Sequence, residues 1–463
     1  MRLSLKMLLV FAMTIAIMIP LTLIRGTIGE RQKYRAQAID NIARSFAGAQ
    51  ALAGPVLVVP YVETVEIEEK NNAGEVVRKV KRDGASGSWT FFPETLDVQG
   101  KVIPNTRKLG LHQVRVYELQ AVASADFIAR IPADENPELP RRIGRPWLSY
   151  GIADVRGLAG TPRLRIDGRE VGLEEGFGSR EGGGVHVRLA APRAGATIRT
   201  ATRLDLKLGG TESLALVPLA RNNVFKLDSS WPHPRFGGDF LPRQPRVGDQ
   251  GFTAQWEVSS LASNAQAQFL AGRTLPALAE EAALPRNGAD HALALASDGI
   301  DAVAMALVDP VNIYTQADRA SKYGLLFVVL TFVGFFMFEL IKRLRIHPIQ
   351  YSLVGLSLAI FFLLLVSLSE HIAFLWAYLV ASAACIGLLA FYLSAVLRST
   401  GRGLGFAAML ATLYAALYGL LVSEDNALVL GAGLLFVILA AIMVVTRKVD
   451  WYQLGAGRTS APA

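Results

Sequence analysis

The sequence has almost no cysteine and none of the common catalytic motifs. Its single cysteine, Cys385, lies inside a long apolar run, which excludes an intramolecular disulfide and a zinc site with several cysteine ligands. The six histidines are scattered, and none has a partner at the spacing of metal ligands. A Gly-x-Ser-x-Gly elbow, a His-Glu-x-x-His pair, a Walker loop and a Cys-x-x-Cys pair are also missing. We therefore expect no metal, no cofactor and no enzymatic activity.

Charged residues are also few, at 19% of the chain, against 52% apolar residues. The mean hydropathy of +0.34 is too high for an average soluble protein and too low for a chain that lies wholly in a membrane. The chain should therefore divide into a membrane part and a part exposed to water. The net charge of +8 does not indicate a nucleic-acid partner, because the basic residues are spread along the sequence.

Five long apolar runs occupy the C-terminal third. Each has about 17 to 25 residues, enough for a helix to cross a hydrocarbon core of roughly 30 Å. They lack the polar face that a surface helix of a soluble protein needs. We predict a five-helix transmembrane domain over residues 323–447, with spans at Gly324–Ile341, Ser352–Leu368, Ile372–Val396, Leu404–Val422 and Ala427–Val445.

The N-terminus supplies a sixth apolar run, Met7–Ile24, with no small-residue cleavage site after it. We interpret residues 1–24 as an uncleaved signal anchor. Lys and Arg follow the first, third and fifth C-terminal runs, whereas acids follow the second and fourth. The positive-inside rule then places both termini, including a tail over 448–463, in the cytoplasm and residues 25–322 outside.

The exterior segment changes its periodicity after a short helix, predicted from Glu30 to about Leu52 and ended by Gly54 and Pro55. Many short stretches with period two and dense turn signals then favour an antiparallel sandwich or barrel-like β domain. Residues 264–284 and 285–301 look helical or irregular, and Gly299–Pro310 is typical of a last strand. Strands are predicted at Val56–Val59, Val62–Glu68, Val76–Val80, Trp89–Phe92, Val114–Leu119, Leu164–Ile166, Val185–Leu189, Leu204–Leu208 and Phe252–Val258.

Several ionisable residues fall near the ends of the predicted spans. Glu339 lies about one turn from Lys342 and Arg343, a spacing that favours an ion pair at the membrane interface. A second group is predicted at the outer ends of the spans. These charges either hold the β domain on the bundle or form a proton- or ion-responsive cluster, since a histidine near acids titrates around neutrality. The group consists of Arg319, Lys322, Glu370, His371, Glu424 and Asp425.

Short motifs along the chain resemble those of the CreD family of bacterial inner-membrane proteins, which are described as cell-envelope integrity proteins. The motifs are Ile24-Arg25, Glu30-Arg31, Gly54-Pro55, the run 153–157 with Asp154 and Arg156, the run 231–236 with Trp231 and His233, the run 251–256, Tyr323, the runs 330–332, 347–351, 367–371 and 423–425, and the run 446–452. The chain departs from the family pattern at Ala153, where a serine is expected.

The resemblance implies a six-span protein with a large periplasmic domain, linked to envelope stress, colicin tolerance and β-lactam responses. It implies no catalytic mechanism, so its motif residues have no assigned role. We favour a non-enzymatic inner-membrane protein whose β domain binds membrane lipid, glycan or an envelope protein.

Two alternatives stay open at this point. One is a transporter or lipid-handling protein with a path between the C-terminal helices and with Glu370, His371, Glu424 and Asp425 at its mouth, although ionisable residues near the middle of the spans are lacking. The other is a hydrolase, which would need Asp154 or His233 beside a serine in a cleft.

Overall fold

The chain forms two compact units, Met1–Tyr34 with Val311–Ala463 and Arg35–Pro310. The computed structural model describes residues 3–70, 76–110, 112–178, 180–276, 299–307, 313–342, 347–396, 399–422 and 427–447. We call the first unit the helical unit and the second the β unit, because long helices build one and two β-sheets build the other. The predicted boundaries at residues 24, 322 and 447 refer to sides of a membrane and stay predictions.

Long apolar helices dominate the helical unit. Within the described residues, four are long and apolar enough to cross a membrane, and two shorter apolar segments are Lys322–Met337 and Val429–Val444. The prediction of six apolar helices with a large β domain is confirmed at that level, whereas the number of spans stays a prediction. The helices are α1 Leu3–Ser45, α2 Ala265–Leu270, α3 Ile313–Lys342, α4 Pro348–Ser369, α5 Phe374–Val396, α6 Thr400–Val422 and α7 Ala427–Thr446, of which α2 belongs to the β unit.

Aromatic rings fill the interior of the helical unit. Phe361 packs edge-on against Tyr378 and Tyr414, with ring centroids 5.5 and 4.6 Å apart. Other large apolar side chains face outwards, and Phe391 and Phe436 are 79% and 72% exposed. Outward-facing apolar side chains over whole helices suit a hydrocarbon environment and not water.

Helix α1 corrects one prediction. The expected separate helix from Glu30 to Leu52 is part of one continuous helix that ends at Ser45. Residues 50–53 instead pair in parallel with 214–217, so they begin a strand. Sheet pairing outweighs local helix propensity here, and Gly54 and Pro55 lie inside that strand and do not end a helix.

The β unit contains two sheets that share one core. Leu57 and Tyr150 of one sheet lie in the same buried cluster as Leu119 and Trp256 of the other. The strands are β1 Gln50–Lys70, β2 Val76–Phe91, β3 Thr95–Leu109, β4 His112–Arg130, β5 Arg142–Ile143, β6 Trp147–Ile152, β7 Arg163–Ile166, β8 Arg169–Val171, β9 Glu174–Phe177, β10 Arg180–Arg188, β11 Thr197–Thr211, β12 Ser213–Val217, β13 Asn222–Ser229, β14 Pro234–Gly238, β15 Arg246–Gly248, β16 Gly251–Ser259 and β17 Val303–Leu307.

The sheets are mainly antiparallel, as predicted, and they form a sandwich. The nine-stranded sheet has the order β14-β17-β12-β1-β6-β10-β9, with β2 and β5 also paired to β1. The eight-stranded sheet has the order β15-β16-β13-β3-β4-β11-β7-β8. Strand β1 is parallel to β12, and β13 is parallel to β3.

Several strands are much longer than the predicted stretches, since β1 has 21 residues and β4 has 19. As a result two hairpins, β1–β2 and β3–β4, are long ribbons in the β unit.

Candidate functional site

The motif residues Asp154 and Arg156 lie against the C-terminal end of α1. Asp154 caps a single 3₁₀ turn over Val155–Gly157. Its Oδ1 accepts hydrogen bonds from the Arg156 backbone N–H at 3.1 Å and from Nε at 2.9 Å. Its Oδ2 accepts from Arg156 Nη2 at 2.6 Å and from the Gly48 N–H at 2.9 Å. The carboxylate is therefore held by the guanidinium and by the loop that follows α1.

The Arg156 guanidinium also binds the helix itself. Nη1 donates to the Arg44 carbonyl oxygen at 2.7 Å, and Nη2 lies 3.5 Å from the Ala43 carbonyl oxygen. The last carbonyl groups of a helix have no partner within it, so a cation at that end satisfies them and matches the negative end of the helix dipole. We call the Asp154–Arg156 pair, with these contacts, the latch.

The latch affects the ionisation of both its members. Hydrogen bonding from Arg156 lowers the pKa of Asp154. Partial burial of the carboxylate acts in the opposite direction, and the hydrogen bond from the Gly48 N–H lowers the pKa further. The bond to Asp154 raises the pKa of Arg156 in turn. Asp154 is 14% exposed and Arg156 is 55% exposed, so water reaches the guanidinium but scarcely reaches the carboxylate.

Gln50, which the sequence did not single out, extends the latch into the core. Its side-chain Nε2 donates to the carbonyl oxygens of Asp154 at 2.8 Å and Gly209 at 2.9 Å. Its Oε1 accepts from the Asp154 backbone N–H at 3.2 Å, and the residue is 1% exposed. A lone glutamine at a strand start carries no sequence signal, because its partners lie about 100 and 160 residues away.

The end of α1 also packs on the β3–β4 hairpin. Ile39 and Ile42 of α1 form a buried cluster with Val114 and Val116 of β4, and Phe46 packs against it. A Cβ added at Gly209 would lie 2.7 Å from Phe46 Cζ, so only a glycine lets this ring approach β11. The end of α1 is thus fixed by both apolar packing and hydrogen bonds.

The other motif pair, Trp231 and His233, lies beside the same hairpin. The Arg115 guanidinium carbon is 4.5 Å from the Trp231 ring centroid, a cation–π contact. Trp231 Nε1 donates to the His233 carbonyl oxygen at 3.0 Å, while the His233 residue is exposed. These contacts bring Trp231 to β4 but place neither residue beside Asp154.

The structure describes only some of the charged residues that were predicted at the outer ends of the spans. Glu370, at the end of α4, forms an ion pair with Arg31 of α1, with 3.2 Å between Oε1 and Nε, without the geometry of a hydrogen bond. The Glu370 side chain is only 8% exposed. His371 and Lys322 are exposed and Arg319 is half-buried, whereas Glu424 and Asp425 lie outside the described residues. Arg31 is a partner that the sequence interpretation missed.

Glu339 is buried within the helical unit, at 6% exposure, and Oε2 accepts a hydrogen bond of 2.8 Å from the Tyr351 hydroxyl. The predicted ion pair with Lys342 and Arg343 involves side chains outside the described part of the chain. Where the structure describes the chain, no group of three or more His, Cys, Asp or Glu residues is arranged to hold a metal ion.

The fold and these sites define a multi-helix membrane protein with a large β domain. The family model described as "Inner membrane protein CreD" matches residues 2–452. The chain is 34% identical over 460 residues to "Inner membrane protein CreD" of Escherichia coli (strain K12), which covers 98% of this chain and 95% of that relative. The chain therefore belongs to the CreD family of inner membrane proteins, as its motifs predicted.

Comparison with solved structures finds only weak similarity. One crystal structure of a mutant M1 zinc metallopeptidase from Deinococcus radiodurans has a TM-score of 0.20 at 10% identity, over 46% of this chain and 42% of that chain. Another structure of that enzyme has a TM-score of 0.18 at 9% identity, over 80% of this chain and 94% of that chain. At such TM-scores the similarity supports no conclusion about fold or activity.

Proposed function

We propose that this protein is a six-span inner-membrane protein whose β unit lies on the periplasmic side and acts as a non-catalytic binding module in cell-envelope integrity and envelope-stress tolerance. The apolar helices, the alternating charge of their connectors and membership of the CreD family support this proposal. Both termini are cytoplasmic in this arrangement.

The main support for the proposal comes from the contacts that the polar motif residues make. The Asp154 carboxylate and the Arg156 guanidinium bind each other, the Gly48 N–H and the Arg44 carbonyl in the last turn of α1. In the described part of the chain these contacts bring no serine to Asp154. The motif therefore supports a role in holding α1 and the β unit together, and it gives the hydrolase alternative no support.

The interior of the β unit supports recognition at its surface. Large side chains, including Trp256, Tyr117, Tyr150 and Phe127, are fully buried between the sheets. A core filled in this way suits a surface that binds lipid, glycan or an envelope protein better than an enclosed ligand site.

The proposal is tested with photo-crosslinking from the full chain in cells. A photoreactive residue is introduced at exposed positions of the β unit, such as Leu241 (68% exposed) and Leu261 (96% exposed). We expect crosslinks to a lipid, a glycan or an envelope protein, with accessibility to a periplasmic thiol reagent at the same positions when they carry cysteine. Labelling only from the cytoplasm, or no crosslink at any exposed position, would contradict the proposal.

A second candidate, a transporter or lipid-handling protein, is favoured by one observation. Glu339 is buried in the helical unit and accepts a hydrogen bond from Tyr351, and carboxylates placed in this way often mark transport paths. Glu339→Gln should abolish envelope-stress tolerance under this candidate while protein level and melting temperature stay the same. Under the favoured proposal the variant keeps tolerance wherever it folds.

A further inference from the structure

The edge strand β9 is paired to the nine-stranded sheet by an irregular ladder. It lies at one end of the strand order and pairs with β10. The register shifts between Glu175 and Phe177, so that Gly176 lies opposite four residues of β10, 181–184. A bulge of this kind disrupts the regular backbone hydrogen bonds of a ladder. Side-chain contacts therefore have a large influence on how firmly β9 stays on the sheet.

One buried histidine of β10 supplies such contacts. His186 lies opposite Glu174 in the ladder, and its side chain is 8% exposed. Its Nδ1 lies 3.0 Å from the Gly176 carbonyl oxygen, and its Nε2 lies 3.4 Å from Glu174 Oε2. Both ring nitrogens of His186 therefore face oxygen acceptors on β9.

This environment fits the charged form of the ring. Carbonyl oxygens and carboxylates accept hydrogen bonds and donate none. A neutral imidazole has one N–H, so it can donate to one of the two acceptors and turns a lone pair towards the other. An imidazolium has two N–H groups and can donate to both, with the added attraction of its charge for the carboxylate. Protonation of His186 therefore strengthens its contact with β9.

The charged groups near the ring agree with this interpretation. Glu174 is the carboxylate that faces it, and Arg188 of β10 lies 3.6 Å from the same Glu174 oxygen. Arg188 is 52% exposed, so water weakens its repulsion of a charged ring. Glu175, the next residue of β9, points to the other face of the sheet. On the opposite side of the ring, β6 presents the uncharged Ser149.

Ser149 gives the neutral ring an alternative partner. The residue is 1% exposed, and its hydroxyl makes no hydrogen bond with the described part of the chain. It lies directly opposite His186 in the pairing of β6 with β10. Residues opposed in this way have Cβ atoms about 5 Å apart, which brings the hydroxyl within reach of the ring. A charged ring thus binds β9, whereas a neutral ring can turn to accept a hydrogen bond from β6.

Strand β9 also covers apolar groups. The ring centroid of Phe177 lies 5.8 Å from that of Phe269 in α2. A Cβ added at Gly151 would lie 3.0 Å from Phe177 Cε2, so the ring also lies directly on β6. Phe269 is 4% exposed in this arrangement. Release of β9 would therefore expose part of Phe269 and the edge of β10.

We propose that His186 is a proton-operated catch: the protonated ring holds β9 on the sheet, and loss of the proton releases β9 and exposes Phe269 and the edge of β10. All parts of the catch lie within the β unit, so it goes beyond the proposed function and is independent of the side of the membrane on which the unit lies. Histidine side chains change charge between pH 5 and 8, where carboxylates stay ionised. Because the closed form favours the proton, the catch closes as the pH falls through this interval and opens as it rises.

The test measures hydrogen–deuterium exchange of the full chain in micelles at pH 5.5 and pH 8, read by mass spectrometry. Each exchange rate is divided by the intrinsic rate at the same pH, which gives the protection of peptides that cover β9. We expect this protection to be at least about threefold higher at pH 5.5, a lower bound for one hydrogen bond to a charged group. Strand β8, at an edge of the other sheet, is the internal control and should show no such change.

Variants separate the catch from other effects of pH. His186→Gln cannot take up a proton in this interval and should abolish the pH dependence at β9. Glu174→Gln should reduce the ratio of the two protection values at least about twofold, because it replaces a charged acceptor by a neutral one. The matched variants are His233→Gln, at an exposed histidine, and Glu175→Gln, at the exposed neighbour of Glu174. Both should keep the pH dependence.

Equal protection of β9 at the two pH values, or higher protection at pH 8, would overturn the inference. So would a pH dependence that persists in His186→Gln or one that His233→Gln removes. If His186→Gln lowers the melting temperature, Glu174→Gln decides in its place, because that side chain is 57% exposed and its replacement leaves the core intact. An unchanged ratio in Glu174→Gln would then count against the catch.

Discussion

The Arg156 guanidinium donates a hydrogen bond of 2.7 Å to the backbone oxygen of Arg44 in the last turn of α1. This bond and the Asp154 carboxylate that orients it join residues more than 100 positions apart in sequence. Two residues of one sequence motif, Asp154 and Arg156, therefore fix the end of a 43-residue helix to the β unit.

Arg156→Gln should lower the stability of the β unit, because the Asp154 carboxylate and the Arg44 carbonyl lose a donor. We expect the melting temperature to fall by about 2 to 5 °C, measured on the full chain in micelles by the β-sheet circular dichroism signal. Arg203→Gln is the matched control, since Arg203 is 53% exposed and lies 3.7 Å from Asp205 two residues away. Equal losses in both variants would contradict a special role for the latch.

The stability of the β unit should depend on the ionisation of Asp154. Its pKa is lowered in the folded state, so its stabilising contribution is fully present above its ordinary value near 4 and is lost as the pH falls through the folded value. Asp154→Asn should therefore reduce the loss of melting temperature between pH 6 and pH 3. Asp239, whose pKa is raised by burial, should show the opposite sign when changed to Asn, and the same sign in both variants would contradict this reasoning.

The sequence predicts element types better than it predicts contacts. Hydrophobic runs and period-two stretches correctly identify the helices and the sandwich, because burial of one face imposes these patterns locally. Strand β3 was missed since Gly100 and Pro104 are typical of turns. In the structure a Cβ at Gly100 would lie 2.8 Å from Leu119 Cδ1 and 2.9 Å from Leu227 Cδ2, so the glycine serves packing between strands.

At the candidate sites, too, the sequence points to individual residues but not to their contacts. The sequence singled out the motif positions Asp154 and Arg156 but not their partners Arg44 and Gly48, because a contact of this range leaves no periodic signal. In the sequence Arg31 stood out only as part of the motif Glu30-Arg31, and the structure pairs it with Glu370. Pairing between distant charges follows from the packing of helices, which local sequence does not encode.

Gln50→Ala should destabilise the β unit more than loss of a surface hydrogen bond does. The side chain is buried and donates to two carbonyl oxygens, Asp154 O and Gly209 O, which would lose their donor in the core. Leaving such groups unpaired costs about 2 to 4 kcal/mol in unfolding free energy. Gln255→Ala, which removes an exposed glutamine that donates to Glu257 at 3.0 Å, is the control and should change little.

Exchange of the charges of Arg31 and Glu370 should test their ion pair. Each single reversal, Arg31→Glu or Glu370→Arg, places two like charges together, and Glu370 is only 8% exposed, so water screens the repulsion weakly. We expect each single variant to lower the melting temperature of the full chain in micelles, and the double variant to recover part of the loss, with a coupling of about 1 to 3 kcal/mol. If the double variant loses as much melting temperature as the two single variants together, the two side chains do not act as a pair. The 3.2 Å contact would then contribute nothing to holding α1 against the end of α4.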